Sequence, residues 1–166
     1  MSGGEHSWKR VLFDTNMVSR WMDGDSDFQA PLKALVRRLA KRKATFYVSA
    51  VTVQELMVFA RASGAHQKAH AFLTSTFTTI EFDERAALEA ARIGAALPVA
   101  RGAKQNARDL WHRDIAILGT AAVHEMDAVI TANGADFVPF KDLVTCEIHV
   151  VTAVPLRGAK RTSAKH

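Results

Sequence analysis

Four carboxylates in this chain stand where an apolar run meets polar sequence, and together they could bind metal ions. Asp14 ends the run 11–13, Glu55 lies within 48–56, Asp114 precedes the run 115–118, and Asp136 follows 128–130. Ligands of open α/β sheets bind in the crevice at the carboxyl ends of the strands, so we expect these side chains to meet there. Grouped carboxylates repel one another and raise one another's pKa unless a cation compensates their charge.

The chemistry that such a cluster could perform is hydrolysis of a phosphodiester. A ligand set made only of oxygen atoms favours Mg²⁺ or Mn²⁺ over zinc. One such ion, or two about 4 Å apart, can convert bound water to hydroxide and shield the charge that develops on a phosphate. The acids therefore predict a metal-dependent nuclease.

Each acid also has a purely structural explanation. Asp14 suits the N-cap of a following helix. Residues 52–55 match the capping-box pattern, in which Glu55 would accept from a backbone amide at a helix start. Asp114 heads a helix that is apolar on nearly every side, where nearby arginines could pair with it, and Asp136 could cap a helical turn. Because all four stand at comparable junctions, their joint occurrence favours a shared site.

Strand-like and helix-like segments alternate along the chain. Short apolar runs predict strands at 11–13, 46–48, 77–82, 128–130 and 148–152. Helical spacing predicts helices at 17–22, from Pro31 onward, up to Gly64, at 65–75, from the N-cap Asp83 to 97, and at about 109–126, with a loop over 98–108. This alternation is typical of an α/β fold, here a three-layer α/β/α sandwich around a mainly parallel sheet of about five strands.

Length and composition indicate one folded domain. A chain of 166 residues, 48% of them hydrophobic and 23% charged, is ordinary for a globular protein. We assign 1–10 to a polar extension, 11–156 to the domain, and 157–166 to a basic tail that we expect to be mobile. One cysteine, a polar start without a secretory apolar core, and the absence of a membrane-length apolar run predict a cytoplasmic protein that does not contact membranes.

The overall charge is basic although the predicted site is acidic. The net charge is +5 and the pI is about 9.7. Basic surface around an acidic pocket indicates a polyanionic substrate held over bound metal, although solubility alone would also explain the charge. The run at 41–43 could be only the solvated face of a helix.

The loop that leads to Asp114 supplies the better candidates for RNA contacts. Lys104, Arg108 and Arg113 could contact phosphates, which positions nucleic acid without reading its sequence. Trp111 could stack on a base, although a tryptophan at the root of a buried helix more often serves packing.

Four segments resemble the PIN-domain nucleases, especially the VapC-type toxins of bacterial toxin–antitoxin pairs. They are VLFDTN at 11–16, VSAVTVQEL at 48–56, DIAILGTAA at 114–122 and VITANGADF at 129–137. The resemblance implies that Asp14 and Asp114 bind metal directly. It implies that Asp136 and Glu55 complete the acidic cluster, Glu55 through water.

The same resemblance assigns further residues and partners. It implies that Asn16, Thr131 and Asn133 orient the acids or contact metal-bound water. It implies an endoribonuclease that uses Mg²⁺ or Mn²⁺ and forms a homodimer. A small antitoxin protein would block it, with an extended segment lying in the active-site groove.

Two other functions are compatible with parts of the pattern. A phosphoacceptor signalling domain would need a pair of acids after the first strand and an acceptor after the third, and the chain offers only Asp14 and Asp83. A PIN-like scaffold could bind RNA or protein without cutting it, although the intact acids argue against this hypothesis.

Overall fold

A single parallel sheet forms the centre of the protein. The computed structural model describes residues 7–99 and 102–154. Every strand pairing in the sheet is parallel, and the spatial order is β3-β2-β1-β4-β5. The strands are β1 (Arg10–Phe13), β2 (Thr45–Ser49), β3 (Thr78–Ile80), β4 (Ala128–Thr131) and β5 (Glu147–Val150). The predicted five-stranded parallel sheet is confirmed.

Helices cover both faces of the sheet. One face carries α1 (Thr15–Asp23), α2 (Ser26–Lys41), α3 (Ala50–Ala62) and α4 (His66–Thr76). The other carries α5 (Glu84–Ala96), α6 (Gln105–Val123) and the short α7 (Gly134–Phe137), which continues into a 3₁₀ turn (Val138–Phe140). The three-layer α/β/α arrangement expected from the alternation of elements is therefore confirmed.

The central strand shows why its sequence is apolar without interruption. Val11 and Phe13 point into the core beneath α1–α4, whereas Leu12 points into the core beneath α5 and α6. Successive strand residues face opposite sides of a sheet, and here both sides are covered. The carboxyl end of β1 is thus surrounded by protein on both faces, and a charge placed there is buried.

Two helices begin several residues before the positions expected from sequence. Helix α2 begins at Ser26 rather than Pro31, because Asp25 caps it by accepting from the amide of Asp27. Helix α6 begins at Gln105, so the predicted loop over 98–108 ends early. The first turns of α6 are exposed to solvent and therefore carry no apolar periodicity that would reveal them. Asp114 is consequently an interior residue of α6 and does not head it.

Smaller features also follow from local sequence. Asp83 caps α5 as predicted, accepting from the amide of Ala86 at 2.9 Å. Of the predicted extension, Trp8 is buried in the core and Arg10 belongs to β1, whereas residues 1–6 lie outside the described residues, as does the basic tail 157–166. Within the described ranges, no helix combines the length and apolar character needed to cross a membrane.

Candidate active site

Asp14 lies at the carboxyl end of β1 and is almost completely buried, with 1% of its surface exposed. Its Oδ1 accepts from the amide of Met17 at 2.7 Å, so it caps α1 as its structural explanation predicted. Its Oδ2 accepts from the Thr131 hydroxyl, also at 2.7 Å, at the end of the neighbouring strand β4. Asp14 can therefore cap α1 and lie at the carboxyl edge of the sheet at the same time, because α1 begins at that edge.

Two polar residues, Thr131 at the end of β4 and Asn133 just after it, form hydrogen bonds with the acids. The Thr131 hydroxyl accepts from the backbone amide of Asn133 at 2.9 Å while it donates to Asp14. The side-chain amide of Asn133 donates to Asp136, which lies exposed in α7. Thr131 and Asn133 thus contact Asp14 and Asp136 as the resemblance implied, and Asn16 lies on the rim of the pocket beside Asp14.

Glu55 lies inside α3, whose N-cap is Ser49, so the capping-box explanation for Glu55 is wrong. One carboxylate oxygen accepts from the Thr15 hydroxyl, which also contacts the Thr52 hydroxyl at 3.2 Å. The other oxygen forms an ion pair with Arg113 on α6. Glu55 is therefore turned toward Asp14 and α6 rather than toward its own helix terminus.

Asp114 faces the same pocket from the interior of α6. Burial and then the charges of Asp136, Asp14 and Glu55 raise its pKa from 3.8 to about 7, while Arg113 opposes this shift. The pKa of Asp14 also rises to about 7, chiefly because of burial, and Glu55 adds to the increase. The four acids predicted from sequence are therefore close enough to repel one another.

Two adjoining cavities contain these acids. The first, which we call the acidic pocket, has a volume of about 190 Å³ and is lined by Asp14, Thr15, Asn16, Glu55, Phe59, Leu110, Arg113, Asp114 and Ile117. The second has about 570 Å³ and includes Asp114 and Asp136 together with apolar residues of α6 and the 3₁₀ turn. Asp114 lies in both cavities and so links Asp136 to the other three acids.

The donor chemistry of the pocket fits a hard divalent cation. All the acids offer oxygen, and burial first of all raises the pKa values of Asp14 and of the half-buried Asp114, so their ionised forms are ones that a cation would stabilise. In the described part of the chain, however, no three acidic, histidine or cysteine side chains surround one point as a finished cation cage.

The residues predicted to contact RNA occupy different environments. Lys104 and Arg108 are exposed at the start of α6. Arg113 is inside the acidic pocket. The Trp111 indole N–H donates to the carbonyl of Leu97 at 3.2 Å, and its ring packs against α5. The packing explanation for Trp111 is thus observed, and its stacking on RNA stays a prediction.

Thr15 and Thr52 contribute to the site although the sequence did not single them out. The Thr15 hydroxyl donates to Glu55, and the buried Thr52 holds that hydroxyl from the neighbouring helix. Position was the available signal for Thr15, because it follows Asp14 directly and begins α1. No comparable signal marked Thr52, which contacts the site only through tertiary packing.

Comparison with solved structures shows that this fold is known. A chain in "Crystal structure of DNA bound VapBC from Salmonella typhimurium" matches with 20% identity and a TM-score of 0.62, covering 85% of this chain and 97% of that one. A chain of VapBC-1 from nontypeable Haemophilus influenzae matches with 18% identity, a TM-score of 0.62 and the same coverage.

A third match is a chain of VapBC2 from Rickettsia felis bound to a DNA fragment from their promoter. Its identity is 15%, its TM-score is 0.60, and the match covers 85% of this chain and 98% of that one. These identities establish a shared fold and no more. No curated protein sequence matches this chain significantly.

Family membership rests on the sequence itself. The sequence profile of the PIN domain matches residues 11–139 of the 166 in the chain. That range includes Asp14, Glu55, Asp114 and Asp136. The chain belongs to the PIN domain family.

Proposed function

We propose that this protein is a metal-dependent endoribonuclease that acts as the toxin of a toxin–antitoxin pair. The observation that carries the proposal is the juxtaposition of the buried Asp14 and the half-buried Asp114, two carboxyls that line one pocket and whose pKa values rise to about 7. Membership of the PIN domain family and the shared fold with chains of VapBC complexes support it. Its substrate would be RNA and its cofactor Mg²⁺ or Mn²⁺.

The residues that would hold the cation are Asp14, Asp114 and Asp136, with Glu55 acting through water. When bound, the ion would supply an activated water and shield the charge on the phosphate. Thr131 would fix one oxygen of Asp14 through its hydroxyl, and the Met17 amide would fix the other. These two bonds hold the carboxylate plane in place, so little reorganisation would be needed at the reacting centre.

The remaining pocket residues would position the RNA. The Arg113 guanidinium pairs with Glu55 in the pocket that Asp114 also lines, where it could exchange its ion pair for a phosphate oxygen. Lys104 and Arg108 stand exposed on the approach to the pocket along α6. Phosphate contacts of this kind would place the scissile bond without selecting a base.

The proposal includes a small antitoxin, a homodimer and a cytoplasmic location. Solved chains with this fold come from VapBC complexes, which supports an antitoxin partner. The 570 Å³ cavity beside the acidic pocket offers apolar walls to an extended segment of such a partner. The buried free thiol of Cys146 is compatible with a reducing compartment.

RNA cleavage in the presence of Mn²⁺ tests the proposal. Wild type should cut RNA and arrest growth when expressed, whereas Asp14→Asn and Asp114→Asn should each lose at least about a hundredfold in rate. Asp142→Asn, at an exposed acid outside the pocket, is the matched control and should retain activity. Equal activity of wild type and Asp14→Asn would refute the catalytic assignment.

A non-cutting scaffold is the second candidate, and the Arg113–Glu55 ion pair favours it because it occupies one of the acids. RNA binding that is unchanged in Asp14→Asn, together with no cleavage by wild type in Mn²⁺, would support this candidate. The phosphoacceptor hypothesis loses its basis, because the sheet order β3-β2-β1-β4-β5 differs from the flavodoxin-like order 2-1-3-4-5. Asp83 follows β3 at the sheet edge, two strands from Asp14, and caps α5.

A further inference from the structure

One short segment of the folded domain carries much of its positive charge. Residues 33–43 contain six lysines and arginines and no acid. The whole chain has a net charge of +5, so these six contribute +6 and all other residues together sum to −1. A second basic segment is the tail at 157–166, which has four lysines and arginines and no acid, so the residues outside these two segments sum to −5. Within residues 11–156, the segment 33–43 is therefore the main concentration of positive charge.

Helix α2 separates its cations cleanly from its packed side. Leu32, Leu35 and Leu39 are buried against the sheet. The opposite side carries four exposed cations, Lys33, Arg37, Arg38 and Lys41, which we call the α2 basic face. The exposed residues beside them are alanines, at 30, 34 and 40, which leave the helix surface low and open to a large ligand.

These four cations have no partner within residues 7–99 and 102–154, where neither an ion pair nor a hydrogen bond engages any of their side chains. Lys33, Arg37 and Lys41 follow one another at a spacing of four residues. Like charges at this spacing destabilise a helix by about 0.2–0.5 kcal/mol per pair. The helix dipole favours cations only in the last turn, so it does not account for Lys33 and Arg37.

The row of cations in the α2 basic face extends along the helix axis, away from the sheet edge that holds the acids. The start of α2 lies at the carboxyl edge of the sheet, where the carbonyl of Asp27 accepts from the amide of Val154 after β5. Its end lies at the amino edge, where Arg42 accepts from the Lys9 side chain beside the starts of β1 and β2. The helix spans about 24 Å, so Lys41 is roughly that far from the edge that holds the acids.

We propose that the α2 basic face binds the phosphate backbone of the RNA substrate at a distance from the cleavage pocket. That the polyanion is RNA rests on the proposed function. That a polyanion binds here rests on the unpaired positive charge of the face. The cation, Arg113, Lys104 and Arg108 would contact only the phosphates near the pocket, whereas a longer RNA carries charge that further contacts along its backbone can neutralise. An unpaired basic surface provides them, and it would hold RNA of any sequence.

The test measures RNA affinity against salt concentration in the Asp14→Asn background, which prevents cleavage during binding. The variant replaces Lys33, Arg37, Arg38 and Lys41 with alanine, and its fold is checked by circular dichroism since alanine favours helix. Fluorescence anisotropy with labelled single-stranded RNA should show affinity lowered by about tenfold or more at low salt. The slope of log Kd against log salt should fall by about 3, corresponding to four lost phosphate contacts.

A matched comparison uses two double variants that each remove two exposed charges. Arg37→Ala/Arg38→Ala removes them from the α2 basic face, and the control Arg61→Ala/Lys68→Ala removes them from outside it. Only the first pair should lower the salt slope. The inference would be overturned if the quadruple variant kept the salt slope of its Asp14→Asn parent, or if that parent failed to bind RNA. It would also be overturned if the quadruple variant lost affinity for a DNA duplex and kept its affinity for RNA. Binding that depends on α2 without any cleavage in Mn²⁺ would instead refute the proposed function and leave the inference standing.

Discussion

Arg113 and Glu55 form an ion pair in the lining of the acidic pocket, although 58 residues separate them in the chain. The Arg113 Nε also donates to the carbonyl of Asp109 on its own helix at 3.2 Å, which anchors the guanidinium. A positive charge of the protein thus sits among the acids that are proposed to hold a cation. Arg113 and the cation would compete for Glu55.

Replacing Arg113 with glutamine should strengthen binding of Mn²⁺ in the absence of RNA. The substitution frees Glu55 and removes from the pocket a positive charge that would repel the cation. We therefore expect the affinity for Mn²⁺ to rise about fivefold, the equivalent of about 1 kcal/mol. Titration of free Mn²⁺ by electron paramagnetic resonance measures the change. RNA cleavage should fall in the same variant, since the proposed phosphate contact is lost.

Arg108→Gln is the control for that experiment, because Arg108 is an exposed arginine of the same helix outside the acidic pocket. Its affinity for Mn²⁺ should match that of wild type. Weaker binding in Arg113→Gln would show that the arginine supports the cation rather than competes with it.

The stability of the cation-free protein should depend on pH. Asp14 and Asp114 have pKa values of about 7 when folded against 3.8 ordinarily, so the folded protein holds their protons more tightly than the unfolded chain. Their stabilising contribution is complete below about pH 4 and is lost as the pH rises through about 7. We expect the free energy of unfolding to fall by on the order of 2–4 kcal/mol between about pH 5 and pH 8.

Urea denaturation in the presence of a chelator measures this fall, and excess Mg²⁺ should reduce it by binding the ionised acids. The double variant Asp14→Asn/Asp114→Asn isolates these two groups from the histidines, which also titrate in this range. A wild-type curve parallel to that of the double variant would contradict the assignment.

Substitution of Asp114 with asparagine should stabilise the cation-free protein at about pH 8 while it abolishes cleavage. The change removes a half-buried charge that three other acids repel, which we expect to add on the order of 1–2 kcal/mol. Asp14→Asn should gain less, because both oxygens of Asp14 accept hydrogen bonds and an amide can accept only on one side. Thermal unfolding in chelator compares the two, and a destabilised Asp114→Asn would contradict the electrostatic explanation.

The contact between α5 and α6 should tolerate no side chain at Gly119. A Cβ at this position would lie 2.5 Å from the carbonyl oxygen of Ala86 and 2.8 Å from the amide nitrogen of Ala90, both of which are backbone atoms. Gly119→Ala should therefore lower the free energy of unfolding by about 2–4 kcal/mol. Gly94→Ala is the comparison, because its Cβ would meet the side chains of Trp111 and Ile115, which can shift. An equal cost for the two variants would show that the backbones can separate.

The sequence alone determined the class of fold and the identity of the four acids. Apolar strands that alternate with helices dictate a parallel sheet covered on both faces, because each run has too few polar positions to face water. A carboxylate at the end of such a strand lies at the edge where ligands bind and can also cap the next helix, so Asp14 could be singled out from its neighbours alone. Local chemistry likewise fixed the Asp83 cap, since a side chain that bonds three residues ahead needs no tertiary contact.

The tertiary structure alone decided how the acids are partnered. The Thr131–Asp14 bond joins residues 117 apart, and the Arg113–Glu55 pair links two helices. Neither leaves a periodic signal, because both depend on which strands and helices become neighbours. The interior position of Asp114 in α6 was hidden for a related reason: solvated helical turns need no apolar stripe, and only packing reveals where the helix begins.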